Sequence, residues 1–93
     1  MIVSFKGKIA EEIWNGDVPK RFPRKLVEAA ESKLALVDAA TSINDLRVPP
    51  GNRLEKLRGD REGQWSIRIN KQWRLCFHWE GEHAHDVEIV DYH

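Results

Sequence analysis

Gln64-Trp65-Ser66-Ile67-Arg68-Ile69-Asn70-Lys71-Gln72-Trp73-Arg74-Leu75-Cys76-Phe77-His78-Trp79 alternates apolar and polar residues on both sides of a short polar break. Successive side chains of a strand point to opposite faces, so this stretch predicts two antiparallel strands joined by a tight Asn70-Lys71-Gln72 connection. Trp65, Ile67, Ile69, Trp73, Leu75, Phe77 and Trp79 share one face and should be core. Ser66, Arg68, Arg74, Cys76 and His78 share the other. Toward the C-terminus, Glu80-Gly81-Glu82 turns, and residues 85–92 read as a final strand through Val87, Ile89 and Val90. Toward the N-terminus, Gly59-Asp60-Arg61-Glu62-Gly63 is a polar loop, preceded by a short strand over 53–58 around Leu54 and Leu57.

Upstream of the Pro49-Pro50-Gly51-Asn52 turn the period changes. Leu26, Ala30, Leu34 and Val37 recur at steps of four and three, which predicts an amphipathic helix over 24–40. Thr41 or Ser42 caps a last short turn through Asp45 and Leu46. Pro19 and Pro23 keep the preceding stretch irregular. Residues 8–15 predict a short helix with Ile9, Ile13 and Trp14 on one stripe, ended by Asn15-Gly16-Asp17, and residues 1–6 predict a first strand. The sum is an α+β fold. An N-terminal strand and two helices pack on one face of a mainly antiparallel sheet of four to five strands, in a single domain spanning 1–93.

With 93 residues, 41% hydrophobic and 32% charged, the chain suits one small globular domain and not a disordered segment. No apolar run is long enough to span a membrane and no signal peptide is visible, so the expected location is the cytoplasm, with no membrane partner. Cys76 is the single cysteine, which rules out an internal disulfide and a cysteine-based zinc site. Four tryptophans are expected to fill a thin core. The zero net charge conceals a segregated layout. Residues 47–74 carry eight basic side chains against three acids, a local +5, whereas residues 75–93 carry five acids and no Lys or Arg, a local −5. Local potential is what attracts phosphate. On charge alone, a solvated surface with ion pairs between the two blocks is the plainer reading.

Cleaving RNA through its own 2′-hydroxyl builds negative charge on the phosphoryl oxygens, which an arginine can hold two at a time. Arg58, Arg68 and Arg74 are candidates, Arg74 foremost because it sits mid-strand on the face away from the core. Asp91-Tyr92-His93 follows directly from an apolar strand and should be tied to the sheet. Tyr and His there could supply an acid, a base or a stacking surface. No cofactor motif or H-E-x-x-H zinc motif is present, and His83-Ala84-His85 reads as a solvated turn, so chemistry without metal or cofactor is expected.

Several stretches together resemble one family. They are the Pro49–Leu57 run, Gly59-Asp60-Arg61-Glu62-Gly63-Gln64-Trp65-Ser66-Ile67-Arg68-Ile69-Asn70, Gln72-Trp73-Arg74-Leu75-Cys76-Phe77, and the ending Val87-Glu88-Ile89-Val90-Asp91-Tyr92-His93. With Ile2-Val3-Ser4-Phe5 and the Lys33–Ala40 helix, they resemble the HigB-type killer proteins of the RelE superfamily over nearly the whole chain. The resemblance implies a RelE-like fold and a toxin that cleaves mRNA in the ribosomal A site without metal. It also implies a HigA-like helix-turn-helix antitoxin, with operator DNA reached only through that partner. Carried over, Arg58 matches a basic position facing RNA, Arg74 the arginine at the scissile phosphate, and Asp91, Tyr92 and His93 the catalytic ending. Where some members have a histidine in the Leu-x-x-Leu strand, this chain has Glu55, which could act as a base instead. Arg53, Lys56, Arg61, Arg68 and Lys71 would dock ribosomal RNA and the mRNA backbone. Two other readings remain: a non-catalytic RNA- or ribosome-binding module that uses the same basic face and blocks translation by occupancy, and a protein-interaction domain whose charge blocks dock another subunit.

Overall fold

Ala30, Leu34 and Val37 are completely buried, and they define the inner stripe of the long helix read from the sequence. The structure, a computed structural model, describes residues 1–92. Its elements are α1 (Ile9–Trp14), α2 (Val27–Ala39), β1 (Glu55–Lys56), β2 (Gln64–Arg68), β3 (Trp73–Glu80) and β4 (His83–Asp91). Short 3₁₀ turns lie at Arg24–Leu26, Ile43–Arg47, Pro50–Asn52 and Gly59–Arg61. The helix expected over 24–40 therefore begins as a 3₁₀ turn. Of the two candidate caps after it, Ser42 takes the place: its hydroxyl accepts from the Asn44 N–H while the Asp45 carboxylate accepts from the Ser42 N–H.

The four strands form an antiparallel meander in the order β1-β2-β3-β4. Residues 1–6 run parallel beside β4 through bridges at Ile2–Ala84 and Phe5–Val87, and not as a continuous strand. The interruption falls at Asp86, which has a positive φ of 51° and donates its N–H to the Ser4 hydroxyl. Ile67, Leu75, Phe77, Val87 and Ile89 of the sheet pack on Ala10 and Ile13 of α1 and on the α2 stripe. Phe22, from the irregular segment between the helices, meets Trp73 edge-on at 4.9 Å.

Further expectations need correction. The strand expected over 53–58 shrinks to Glu55–Lys56, because Arg53 leaves the Pro50–Asn52 turn in the left-handed region (φ 46°) and Gly59 (φ 68°) breaks the far end. Trp14 does not join the core: as the last residue of a six-residue helix it sits one step, about 100°, past buried Ile13 and is 37% exposed. Of the four tryptophans only Trp73 is fully in the core. Cys76, expected outward, lies on the helix-free face but is wholly buried there, as is Ser66. That face has its own cover. Arg61 reaches from the Gly59–Arg61 turn across β3, donating to Gln64 on β2 at 3.2 Å and to Glu88 on β4 at 3.0 Å. Among the described residues, no helix is long and apolar enough to cross a membrane.

Candidate active site

The hairpin register decides which groups meet on the helix-free face. The short Asn70–Gln72 connection pairs Arg68 with Arg74 and Ser66 with Cys76. Asn70 fixes this turn by accepting the N–H groups of Gln72 and Trp73 through its side-chain oxygen, at 2.9 and 2.7 Å. Two arginines thus occupy directly opposed positions on adjacent strands. Like charges so placed are destabilising by a few tenths to about 1 kcal/mol, unless an anion lies between them. Arg68 turns its Nε toward the Asn70 carbonyl at 3.0 Å.

Arg74 is held more firmly. Its Nε donates to the Ser66 hydroxyl at 2.9 Å and its Nη2 to the Arg53 carbonyl at 2.8 Å. Two of the five N–H donors of a guanidinium are so used. The Tyr92 ring lies 5.6 Å from the Arg74 Cζ, a cation–π contact. Tyr92 is 40% exposed, yet its backbone is fastened: its N–H donates to the Gln72 carbonyl at 2.6 Å. The terminal segment is therefore tied to the sheet as far as Tyr92, beside the β2–β3 turn.

These residues enclose a shallow cleft of about 330 Å³ lined by Arg53, Arg68, Asn70, Lys71, Arg74 and Tyr92. Four cations converge there, and among the described residues no carboxylate lines the cleft. A larger open groove of about 760 Å³ lies between α1 and residues 17–21, but its walls mix Lys8, Lys20 and Arg21 with Glu12 and Asp17. It offers no comparable concentration of one charge. Among the described residues, no three His, Cys, Asp or Glu side chains are grouped to hold a metal ion.

The cleft gathers Arg53, Arg68, Lys71, Arg74 and Tyr92 from the residues singled out in the sequence. The others stand elsewhere. Glu55 is exposed and is the register partner of Ser66, which puts it on the Arg74 side of the sheet. Arg58 is exposed at the end of the β1 segment, ahead of the Gly59–Arg61 turn. Lys56 stacks over the Trp65 ring at 5.7 Å. Arg61 is engaged by Glu88, whose hydrogen bond is the first cause of its raised pKa. Asp91 pairs with Trp73 in the register, one position out of phase with Arg74, and accepts from the Gln72 side chain at 3.0 Å. His93 lies outside the described residues. Two contributors were not singled out: Asn70, and Ser66, which was placed on the face away from the core without a role. The signal for Ser66 was present. On an antiparallel pair, Arg74 is the diagonal neighbour of the residue two before Arg68, and that residue is Ser66.

Solved structures share this architecture. The YoeB–YefM complex from Staphylococcus aureus matches the whole chain and 98% of its counterpart, with a TM-score of 0.62 at 22% identity. The YoeB/ParE toxin from Agrobacterium tumefaciens covers 99% of this chain and 96% of its own, with a TM-score of 0.54 at 20% identity. At such identity the likeness concerns the fold alone, which this chain shares with those YoeB-type proteins. The family model for the RelE-like toxin of type II toxin–antitoxin system HigB matches residues 3–93, and the chain belongs to that family. It is 45% identical over 80 residues to Toxin HigB-1 of Vibrio cholerae, covering 85% of this chain and 84% of that protein. It is 34% identical to the Endoribonuclease HigB of Proteus vulgaris over the full length of both.

Proposed function

We propose that this toxin is an endoribonuclease that cuts mRNA in the ribosomal A site and thereby stops translation. The observation that carries the reading is the cleft itself, where Arg74 is fixed by two hydrogen bonds, opposed by Arg68 and stacked against Tyr92. Four cations and one aromatic ring suit a bent RNA strand, with the phosphate on the cations and a base against the ring.

In this mechanism the 2′-hydroxyl attacks the adjacent phosphorus. The P–O5′ bond breaks, leaving a 2′,3′-cyclic phosphate and a free 5′-hydroxyl. Arg74, with Arg68 beside it, neutralises the charge gathering on the phosphoryl oxygens, and no metal is required for that task. Glu55, on the same side of the sheet, takes the 2′-hydroxyl proton, and the chain end at Tyr92 and His93 returns one to the leaving oxygen, with Asp91 anchoring that end through Gln72. Arg53 and Lys71 hold flanking phosphates, while Arg58 and Lys56 extend the basic rim. The cognate antitoxin is a HigA-like helix-turn-helix protein through which alone the pair reaches operator DNA, and the toxin acts in the cytoplasm.

Purified toxin, an mRNA and programmed ribosomes, with and without chelator, test the reading by primer extension. Discrete chelator-resistant cuts on ribosome-bound mRNA, with little cutting of free mRNA, are expected. Inhibited translation with intact mRNA would instead identify a toxin that works by occupying the A site.

A further inference from the structure

We infer that Ser66 and the backbone carbonyl of Arg53 are the positioning pair that aims Arg74 at the scissile phosphate, an inference that rests on the nuclease reading above. Nε and Nη2 lie along one edge of a guanidinium. Both are engaged in Arg74, Nε by Ser66 at 2.9 Å and Nη2 by Arg53 at 2.8 Å. When Nη2 uses its hydrogen on that edge, the edge left over carries one N–H from each of Nη1 and Nη2. That is the pair of parallel donors which matches two oxygens of a phosphoryl group. An arginine free to rotate would offer either edge and spend much of its time in neither geometry.

Both acceptors are themselves immobilised. Ser66 is completely buried in mid-strand on β2, where register with β3 and β1 fixes its direction. The Arg53 carbonyl owes its aim to a backbone with φ 46° and ψ 55°, a left-handed conformation uncommon for a residue with a side chain. A buried clamp holds it there. Asn52 is wholly buried, its side chain donates to the carbonyls of Leu46 and Val48, and it accepts from Lys33 on α2. The Arg53 N–H donates to the Pro50 carbonyl at 3.1 Å. The guanidinium is thus referenced through one bond to the sheet and through the other to the helical layer.

The test is a double-mutant cycle on ribosome-bound mRNA cleavage with the full chain. Ser66→Ala should lower kcat by about tenfold to a hundredfold, the usual effect of loosening a reacting geometry by a fraction of an ångström. KM for programmed ribosomes should stay within about threefold, because the positive charge remains. Ser66→Cys keeps the volume but not the strong acceptor, and should behave like the alanine variant. In an Arg74→Ala background Ser66→Ala should cost less than about twofold more, as expected when two residues act as one unit. Equal losses from Ser66→Ala in both backgrounds, or a parental kcat in the alanine and cysteine variants, overturn the positioning role and leave the nuclease reading standing. Parental cleavage by Arg74→Ala alone overturns both.

Discussion

Replacing Arg74 by lysine keeps the charge and removes the geometry, so it separates the two contributions this side chain makes. Arg74 spends its Nε and Nη2 on Ser66 and Arg53 and retains a second pair of donors. An ammonium is a single point. If it settles between the Ser66 hydroxyl and the Arg53 carbonyl, the phosphoryl oxygens lose both donors. If it turns to the phosphate, it can serve one oxygen well and leaves the buried hydroxyl without its cation. Either way at least one charge-assisted hydrogen bond disappears from the transition state, worth about 1.5–3 kcal/mol. At about 1.4 kcal/mol per decade, the expected loss is roughly tenfold to 10²-fold in the single-turnover rate. RNA affinity and its salt dependence should change by no more than about threefold, because counterion release counts charges and not forks. Quench-flow cleavage of mRNA on programmed ribosomes gives the rate, and a salt titration of RNA binding gives the affinity. A lysine variant that cuts within threefold of the parent would refute the assignment of Arg74 as a bidentate donor. So would one that loses rate only in proportion to lost binding.

Other consequences concern groups around the cleft. Arg61 already spends its charge on Glu88 across β3, so Arg61→Gln should leave the salt slope of RNA binding nearly unchanged, whereas Lys71→Gln should reduce it by about 0.7 as a lost phosphate contact to single-stranded RNA. Equal slopes for the two variants would mean that Arg61 leaves Glu88 when RNA binds. Asn52→Ala strips partners from the Leu46 and Val48 carbonyls and from Lys33, and should cost about 2–4 kcal/mol in denaturant unfolding; a loss under 1 kcal/mol would show that the clamp is dispensable. Burial pushes the Cys76 thiol above its ordinary value, so the folded chain holds that proton more tightly than the unfolded one. The resulting stability is complete below the ordinary thiol pKa of about 8.5 and fades as pH rises through the folded value. Thermal unfolding of the parent should therefore drop more steeply than that of Cys76→Ala above about pH 9; parallel curves would contradict the burial effect.

Most of the layer plan could be read along the chain, because it depends on periodicity. Leu34 and Val37, Leu75 and Phe77 announce a buried stripe and a buried face with no knowledge of what they touch. Turn chemistry was equally legible, with Ser42 as cap and Asn70–Gln72 as the hairpin end. The weaker readings all fell where periodicity gives no instruction. Trp14 ends a helix too short to hold its stripe, residues 53–58 are governed by a left-handed Arg53, and Cys76 is hidden by a side chain from another loop.

Within the cleft the division is similar. Composition and alternation established that arginines would occupy the helix-free face and that an apolar strand would bring Tyr92 back to it. Periodicity is a one-dimensional property, and nothing more than the order of residues was needed to see it. Which cations stay available is a matter of distances between residues far apart in sequence. Folding gave Arg61 to Glu88, 27 positions away, laid Lys56 on Trp65, and left Arg53, Arg68, Lys71 and Arg74 around one cavity. Hydrogen bonds and ion pairs act over a few ångströms, so only the assembled sheet could decide which of the basic side chains are structural and which remain free to meet a phosphate.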